Sequence, residues 1–344
     1  MPDVVALGDI NVDIIAHFAG YPSKGGDALA SSTEIHCGGS AANAAIALAL
    51  LGVSTGLIAR VGADSWALKA LDCLKAAGVD DGGLQHDPAA MTGLMYVIVT
   101  PDGDRTILGY RGANVLTEPN QIREDYIAGA RLFHLSGYAL LSEPQRSAAL
   151  LALEMACRHK LAIALDPGMT VSQAALDEMH ALLPTIDILL PNLDEAQKLT
   201  GQTAPEACVR ALLARGSRVV ALKLGQDGCL LGSEAGLVRV QGFQIEPRDT
   251  TGAGDSFAAG FIAGILGGLS RHGAAVLGNA LGAIAATRVG AGTAAVERQE
   301  VLALLQQQRQ PAGGGHDPDA IGQALDLIST RIAEQERRGE QRWK

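Results

Sequence analysis

The stretch Asp249-Thr250-Thr251-Gly252-Ala253-Gly254-Asp255-Ser256-Phe257 constrains this chain more than any other. Two threonines and two glycines lead into an apolar run, Phe257 to Leu269, with alanine and glycine interleaved. A threonine N-cap followed by small residues predicts a helix start. The first N–H groups of such a helix lack intrahelical partners, and the helix dipole favours negative charge there. Glycines let an anion approach the backbone closely. Gly252, Ala253 and Gly254 are therefore expected to line an anion site. Asp255 stands out, because a carboxylate repels bound phosphate. It makes chemical sense if Asp255 removes a proton from a nucleophile about to attack phosphorus. The plainer alternative is an acidic residue that stabilises a helix N-terminus.

The loop is not a dinucleotide fingerprint, since the third glycine of G-x-G-x-x-G would fall on Phe257. No G-x-x-x-x-G-K-[ST] occurs anywhere in the chain, which disfavours a P-loop kinase. The stretch instead resembles the C-terminal motif of the PfkB (ribokinase-like) sugar and nucleoside kinases. In that family the glycine loop is the anion hole and its Asp, here Asp255, is the catalytic base. The resemblance runs over roughly the first 300 residues. It implies an α/β fold: a ribokinase-like three-layer α/β/α sandwich with a mostly parallel central sheet and a small β-sheet lid. It also implies ATP and Mg²⁺ as cofactors.

Composition sets the outer bounds. A chain of 344 residues suffices for one large α/β domain or two ordinary ones. Hydrophobic residues are 48% and charged residues 19%, as in a well-buried core, but aromatics are only 3%, so Ala, Leu, Val and Gly must build it. A net charge of −10 without a basic run argues against a nucleic-acid surface. Cys37, Cys73, Cys157, Cys208 and Cys229 are scattered with no C-x-x-C pair, and read as reduced thiols in a cytoplasmic protein. Residues 41–59 are almost wholly apolar, but Gly52-Val53-Ser54 breaks them, so a helix and a strand are expected rather than a membrane span.

Val4 to Leu7 reads as a buried strand that opens into a loop at Gly8-Asp9. Asn11 and Asp13 follow at alternate positions, on one face of an extended segment, where they could receive a sugar's hydroxyls. Gly38-Gly39 then precedes a helix from Ala41 to Leu51 that carries Asn43 one turn in. These residues match the family's N-terminal signature, which implies that Asp9, Asn11, Asp13, Gly38, Gly39 and Asn43 hold the substrate. Ribokinases carry Lys where this chain has Ser40, a departure that weakens the case for ribose. Thr92–Thr100 and Arg105–Tyr110, joined by Pro101-Asp102-Gly103-Asp104, read as a hairpin. With residues 11–19 and 32–37, the segment 91–111 would form the lid, which in the family excludes water and serves as a homodimer surface.

From Arg131 onward short apolar strands (132–135, 162–165, 186–190, 219–224) alternate with helical segments near 144–158, 172–183 and 205–215. That alternation predicts a parallel sheet covered on both faces, with ligands at the carboxyl ends of its strands. Asn192 and Glu195, three apart, read as a helix cap; the resemblance assigns the pair to nucleotide and, through water, to Mg²⁺. It likewise assigns Lys223, Gly225, Gly228, Gly252, Gly254, Asn279 and Ala283 to the nucleotide. Asp249 and Thr251, with the loop Val289-Gly290-Ala291-Gly292-Thr293, match a monovalent cation (K⁺) site. A kinase domain is expected over 1–308, and a Gly/Pro-rich linker and a helix over 309–344, with Ile321, Leu325, Ile328 and Ile332 on one face.

The expected activity is phosphorylation of a primary hydroxyl of a sugar, with no nucleic acid or membrane as partner. Three alternatives remain at this level. A nucleoside kinase would need an aromatic platform among Phe18, Tyr21, Tyr96 and Tyr110. A 2-keto-3-deoxygluconate-type acid-sugar kinase would use Arg105 and Arg111, whose even spacing shares a strand face, as carboxylate forks. A silent sugar or nucleotide sensor would not need Asp255.

Overall fold

The structure, a computed structural model, describes residues 1–101, 105–168, 173–290, 296–308 and 317–341. Its first strand, β1 (Val4–Leu7), is buried along its whole length. Val5 and Leu7 join one hydrophobic cluster, while Val4 and Ala6 join clusters on the opposite side. A strand that is apolar on both faces belongs inside a three-layer sandwich. In chain order there follow β2 (Asn11–His17), β3 (Ser32–Gly38), α1 (Ser40–Leu50), β4 (Thr55–Gly62), α2 (Ser65–Ala77), β5 (Asp80–Asp87), β6 (Gly93–Val99) and β7 (Arg105–Tyr110). The middle of the chain holds α3 (Glu124–Ala128), β8 (Leu132–Ser136), α4 (Gln145–Arg158), β9 (Ala162–Asp166), α5 (Gln173–Leu182), β10 (Ile188–Leu189), α6 (Leu193–Thr200) and α7 (Pro205–Ala214). The last third holds β11 (Val219–Lys223), β12 (Cys229–Ser233), β13 (Gly236–Val240), α8 (Ala253–Leu266), α9 (Arg271–Ala286), α10 (Arg298–Gln308) and α11 (Pro318–Gln341).

The central sheet has the order β13-β12-β11-β10-β9-β8-β1-β4-β5. From β5 to β11 every ladder is parallel, and β12 and β13 add two antiparallel strands at one edge. Strand order reverses beside β1, where loops from neighbouring strands part and open a crevice at their carboxyl ends. The apolar run 41–59 becomes α1 and β4, and no helix among the described residues is long and apolar enough to cross a membrane.

The lid is a second sheet, β3-β2-β6-β7, with β2 and β6 parallel and the outer pairs antiparallel. Residues directly opposite across a ladder share a face. His17, Ser32, Val99 and Arg105 therefore form one row on the same face as Asp13 and Met95. Ile35, Ile14, Tyr96 and Leu108 form a row on the other face. The hairpin residues 102–104 and the loop residues 291–293 lie outside the described residues, as do 309–316 of the expected linker.

Two expectations need correction, and one strand went unforeseen. The helix of the glycine loop is not capped by threonine: Gly252, at φ 74°, is the N-cap, and no side chain caps the end. Glycine takes this left-handed conformation without the penalty a side chain would meet. Strand β5 went unforeseen, because Asp-Asp-Gly-Gly disfavours a strand; it forms as an edge added to β4. Cys37 and Cys73 are not free thiols but a disulfide, with Cα atoms 6.5 Å apart. The packing of the end of β3 against α2 joins them, and no sequence spacing announces that. The expected C-terminal helix forms as α11, and Ile321, Leu325 and Ile328 share a face buried in the cluster that holds α8 and α9. The Arg298 side chain also donates to Leu50 O at 2.5 Å and to Arg331 O at 2.9 Å, tying α10 to α1 and α11.

Candidate active site

The carboxyl ends of the central strands converge on one crevice. Asp9 follows β1, Ser136 ends β8, Asp166 ends β9, Asn192 follows β10 and Lys223 ends β11. Above them α8 begins at Ala253 and points its first turn into the crevice, with Asp255 in that turn. The first intrahelical bond runs from Ser256 N–H to Gly252 O at 2.9 Å. The uncapped end keeps the donor geometry and the positive dipole end that suit an anion.

Asp255 is held from the opposite end of the sequence. Ser40 Oγ donates to its Oδ1 and Asn43 Nδ2 to its Oδ2, each at 2.8 Å. Both donors sit in the first turn of α1, where Gly39 is the N-cap. Protein atoms ring the carboxyl, and this burial, with the nearby Asp166 charge, raises its pKa from 3.8 to about 6 against the lowering effect of Asn43, Ser40 and Lys223. A carboxylate poised near neutrality is suited to general-base work. Ser40 was seen in the sequence only as a departure; its role depends on a contact that spans 215 positions.

Beside Asp255 lie buried polar groups with free valences. Asp13 Oδ1 and Asn43 Oδ1 are buried and have no hydrogen-bond partner. Burial, followed by the charges of Asp255 and Asp249, raises Asp13 to about 7. Gly38 pairs with Asn11 across the β2–β3 ladder, and a methyl at Gly38 would overlap the Asp13 carboxylate two residues along. Asn11 Oδ1 accepts from Asn114 Nδ2 at 2.9 Å.

Asp9 is committed elsewhere. Arg111 Nε and Nη2 donate to its two oxygens at 2.8 Å, and Gln145 Nε2 adds a third bond at 2.8 Å. The expectation that Arg105 and Arg111 share a face fails, because β7 ends at Tyr110 and Arg111 turns down into the core. Arg105 stays on the lid and reaches the loop before the glycines. Its Nη1 donates to Asp249 Oδ1 at 2.6 Å and to Thr251 Oγ1. Gln145 gave no signal in the sequence.

On the other side of Asp255 a cleft of 390 Å³ opens between β11, the 242–250 segment and α9. Lys223, Gly225, Gly228, Gly254, Asn279 and Ala283 line it, all of them expected nucleotide residues. Gly242, Phe243, Ile245 and Pro247 line it too and were missed, since an irregular segment leaves no periodic trace; Gly282 on α9 was also missed. Asn279 Nδ2 is occupied by Val240 O and Gln241 O, so this residue shapes the wall. Lys223 Nζ donates to Asp166 Oδ2 at 2.6 Å. Its burial opposes the charge, but Asp166 and Glu195 outweigh that and hold its pKa above the usual lysine value.

Asn192 and Glu195 form a capping box on α6, with Glu195 accepting from Asn192 N–H at 2.8 Å and from Asn192 Nδ2 at 2.9 Å. Burial and Asp166 raise Glu195 to about 7. Among the described residues no group of His, Cys, Asp and Glu could by itself hold a metal ion. Mg²⁺ brought in by nucleotide phosphates and its own waters would not need such a group, and Glu195 would meet it through water. A monovalent cation does not fit. Asp249 Oδ1 accepts from Arg105, from Thr251 N–H at 2.9 Å and from Thr251 Oγ1 at 2.6 Å, while Oδ2 accepts from Gly290 N–H at 3.0 Å. Three of these four donors crowd Oδ1, and one of them is a guanidinium whose charge already sits against the carboxylate.

Residues 1–298 match the pfkB family carbohydrate kinases. The chain belongs to that family. Among its pfkB relatives, ATP-dependent ribose-1-phosphate kinase from Halopiger xanaduensis is 33% identical over 301 residues, which span 86% of this chain and 95% of that protein. Fructokinase-1 from Oryza sativa subsp. japonica is 30% identical over 318 residues, 88% of this chain and 97% of that protein. Among solved pfkB-like structures, an E. coli protein assigned as a ribokinase II, in complex with ATP and Mg²⁺, superposes with a TM-score of 0.82. It is 27% identical, and the match covers 89% of this chain and 100% of that one. The chain is thus a carbohydrate kinase of ribokinase-like fold.

Proposed function

We propose that this pfkB protein transfers the γ-phosphoryl group of ATP to a primary hydroxyl of a neutral sugar. The observation that carries the reading is the seating of Asp255: a carboxyl at about 6, in the first turn of α8, between a nucleotide-sized cleft and a pocket of unpartnered buried oxygens. Asp13 Oδ1 and Asn43 Oδ1 accept from sugar hydroxyls, which repairs their missing hydrogen bonds. Asp255 accepts the proton of the reacting hydroxyl, while Ser40 and Asn43 fix the carboxylate plane. The N–H groups of Gly252, Gly254 and Asp255 face the charge that develops on the transferring group, while that of Ala253 donates to Thr250 O. Lys223 adds a cation at the same end. Mg²⁺, when bound with the nucleotide, screens the phosphate charges.

The acid-sugar alternative loses support because Arg105 and Arg111 are both paired with carboxylates of the protein itself, Arg111 through both oxygens of Asp9. The nucleoside alternative loses support because Tyr96 and Tyr110 lie on the lid face away from Asp13. That outer face, with Ile35 at 45%, Tyr96 at 46% and Leu108 at 56% exposure, suits a second copy of this chain. ADP release measured over neutral hexoses and pentoses, sugar acids, sugar phosphates and nucleosides tests the reading. Turnover confined to sugar acids or nucleosides, or to none of the panel, would overturn it.

A further inference from the structure

The contact between lid and anion hole lies outside both the sugar pocket and the nucleotide cleft, and it joins two parts of the chain that are 144 positions apart. Arg105 is the first residue of β7, in the lid row with His17 and Val99. Asp249 opens the loop that ends in Gly252, the N-cap of α8. The guanidinium donates to Asp249 Oδ1 and to Thr251 Oγ1, and Thr251 Oγ1 in turn donates to Asp249 Oδ1, which closes a three-membered ring of hydrogen bonds. Gly290 N–H secures the other carboxylate oxygen. Asp249 is mostly shielded, at 14% side-chain exposure, while Arg105 reaches it from the rim at 35%. A cation seeking Asp249 would meet a carboxylate whose Oδ1 already takes three donors and a positive charge already in contact with it.

Resting on the kinase reading above, we infer that Arg105 is a positioning residue that supplies the positive charge at Asp249, latches the lid to the anion-hole loop, and makes the protein independent of a monovalent cation. The closed lid and the ordered loop are then one event. With Arg105 in place at Asp249, with or without a sugar, the loop that carries the phosphate donors is set; without the guanidinium the loop loses that partner. Guanidinium suits this task, since its planar donors engage carboxylate and hydroxyl oxygens together and it keeps its charge at any working pH.

The test compares potassium, sodium and choline chlorides at equal ionic strength, with two readouts, phosphoryl transfer and melting temperature without substrate. The wild-type protein is expected to show the same kcat, KM and Tm in all three salts. Arg105→Ala opens the position: kcat should fall about tenfold or more in choline. Potassium should then restore part of the rate and raise the Tm of the variant alone. Arg105→Lys, which keeps a charge but loses the fork, should fall between the two. Potassium activation of the wild-type protein, or a potassium-specific rise in its Tm, would overturn the inference. So would an Arg105→Ala protein with unaltered turnover, or one equally impaired in all salts. Should the wild-type protein phosphorylate nothing, the melting readout still decides the latch, and only the kinase reading falls.

Discussion

Replacing Asp255 by asparagine separates its cost to the fold from its value to the reaction. The native carboxyl is displaced from 3.8 to about 6, chiefly by burial and then by Asp166. At ~1.4 kcal/mol per tenfold, that displacement sets ~3 kcal/mol against the charged form in the folded state. The sign follows from the direction. Below about pH 4 the group is neutral in folded and unfolded chains, and its native contacts are kept in full. As pH rises through about 6 the unfolded chain is already ionised and the native one is forced to ionise, so stability is lost. Asparagine removes this penalty but gives up one of the two accepted bonds, from Ser40 or Asn43, at ~1 kcal/mol. Asp255→Asn should therefore be ~2 kcal/mol more stable than the wild-type protein at pH 8 and near parity or slightly weaker at pH 4. Relief of Asp13, which Asp255 also raises, acts in the same direction. Urea unfolding at both pH values measures the gap. In the same preparation kcat should fall by ~10²–10⁴, the usual loss for a general base. A gap that does not change with pH, or a stabilised variant with near-normal turnover, would refute the assignment of a strained catalytic carboxylate.

Three further outcomes follow from the same geometry. The wild-type pH profile of kcat/KM should rise with an acid limb near 6, and Ser40→Ala, which deletes a donor that lowers the Asp255 pKa, should move that limb upward; an unmoved limb would detach Ser40 from the base. Gly254→Ala puts a methyl 3.3 Å from Lys223 Nζ, a flexible end that can yield, so Tm should hold while turnover falls; loss of Tm with intact turnover per folded molecule would make this glycine a mere turn residue. Arg111→Ala leaves the Asp9 carboxylate buried without its fork, so denaturant unfolding should show a loss of ~3 kcal/mol, and a loss below ~1 kcal/mol would demote the pair to decoration.

The parts of this molecule that repeat or that carry small residues at fixed offsets were legible in its sequence. The strand–helix alternation after Arg131 announced the parallel sheet, and the glycine loop announced α8 and its Asp. The polar pair Asn11 and Asp13 announced one face of β2. What stayed hidden depends on distance. Ser40 reaches Asp255, Arg111 reaches Asp9 and Arg105 reaches Asp249 across more than a hundred positions each. An arginine on an exposed strand reads as solvated until the partner carboxylate is seen. Strand β5 was hidden for another reason: its Gly82-Gly83 pair has poor strand propensity, and the ladder to β4 overrides it.

The bonds that hold Asp255 also set the order in which the site can come into being. Its two donors, Ser40 and Asn43, belong to the first turn of α1, and Asp13 belongs to β2, all within residues 1–43 and far ahead of the base in the chain. The base itself and the walls of the nucleotide cleft come from Lys223 onward, and Ala286 is the last of them. A growing chain thus completes its sugar-facing wall early and can only wait, with the oxygens of Asp13 and Asn43 turned toward water, until α8 and α9 emerge. No shorter product that ends before α9 holds both reactants, so incomplete synthesis leaves a sugar-facing wall with no nucleotide cleft rather than a leaky consumer of ATP.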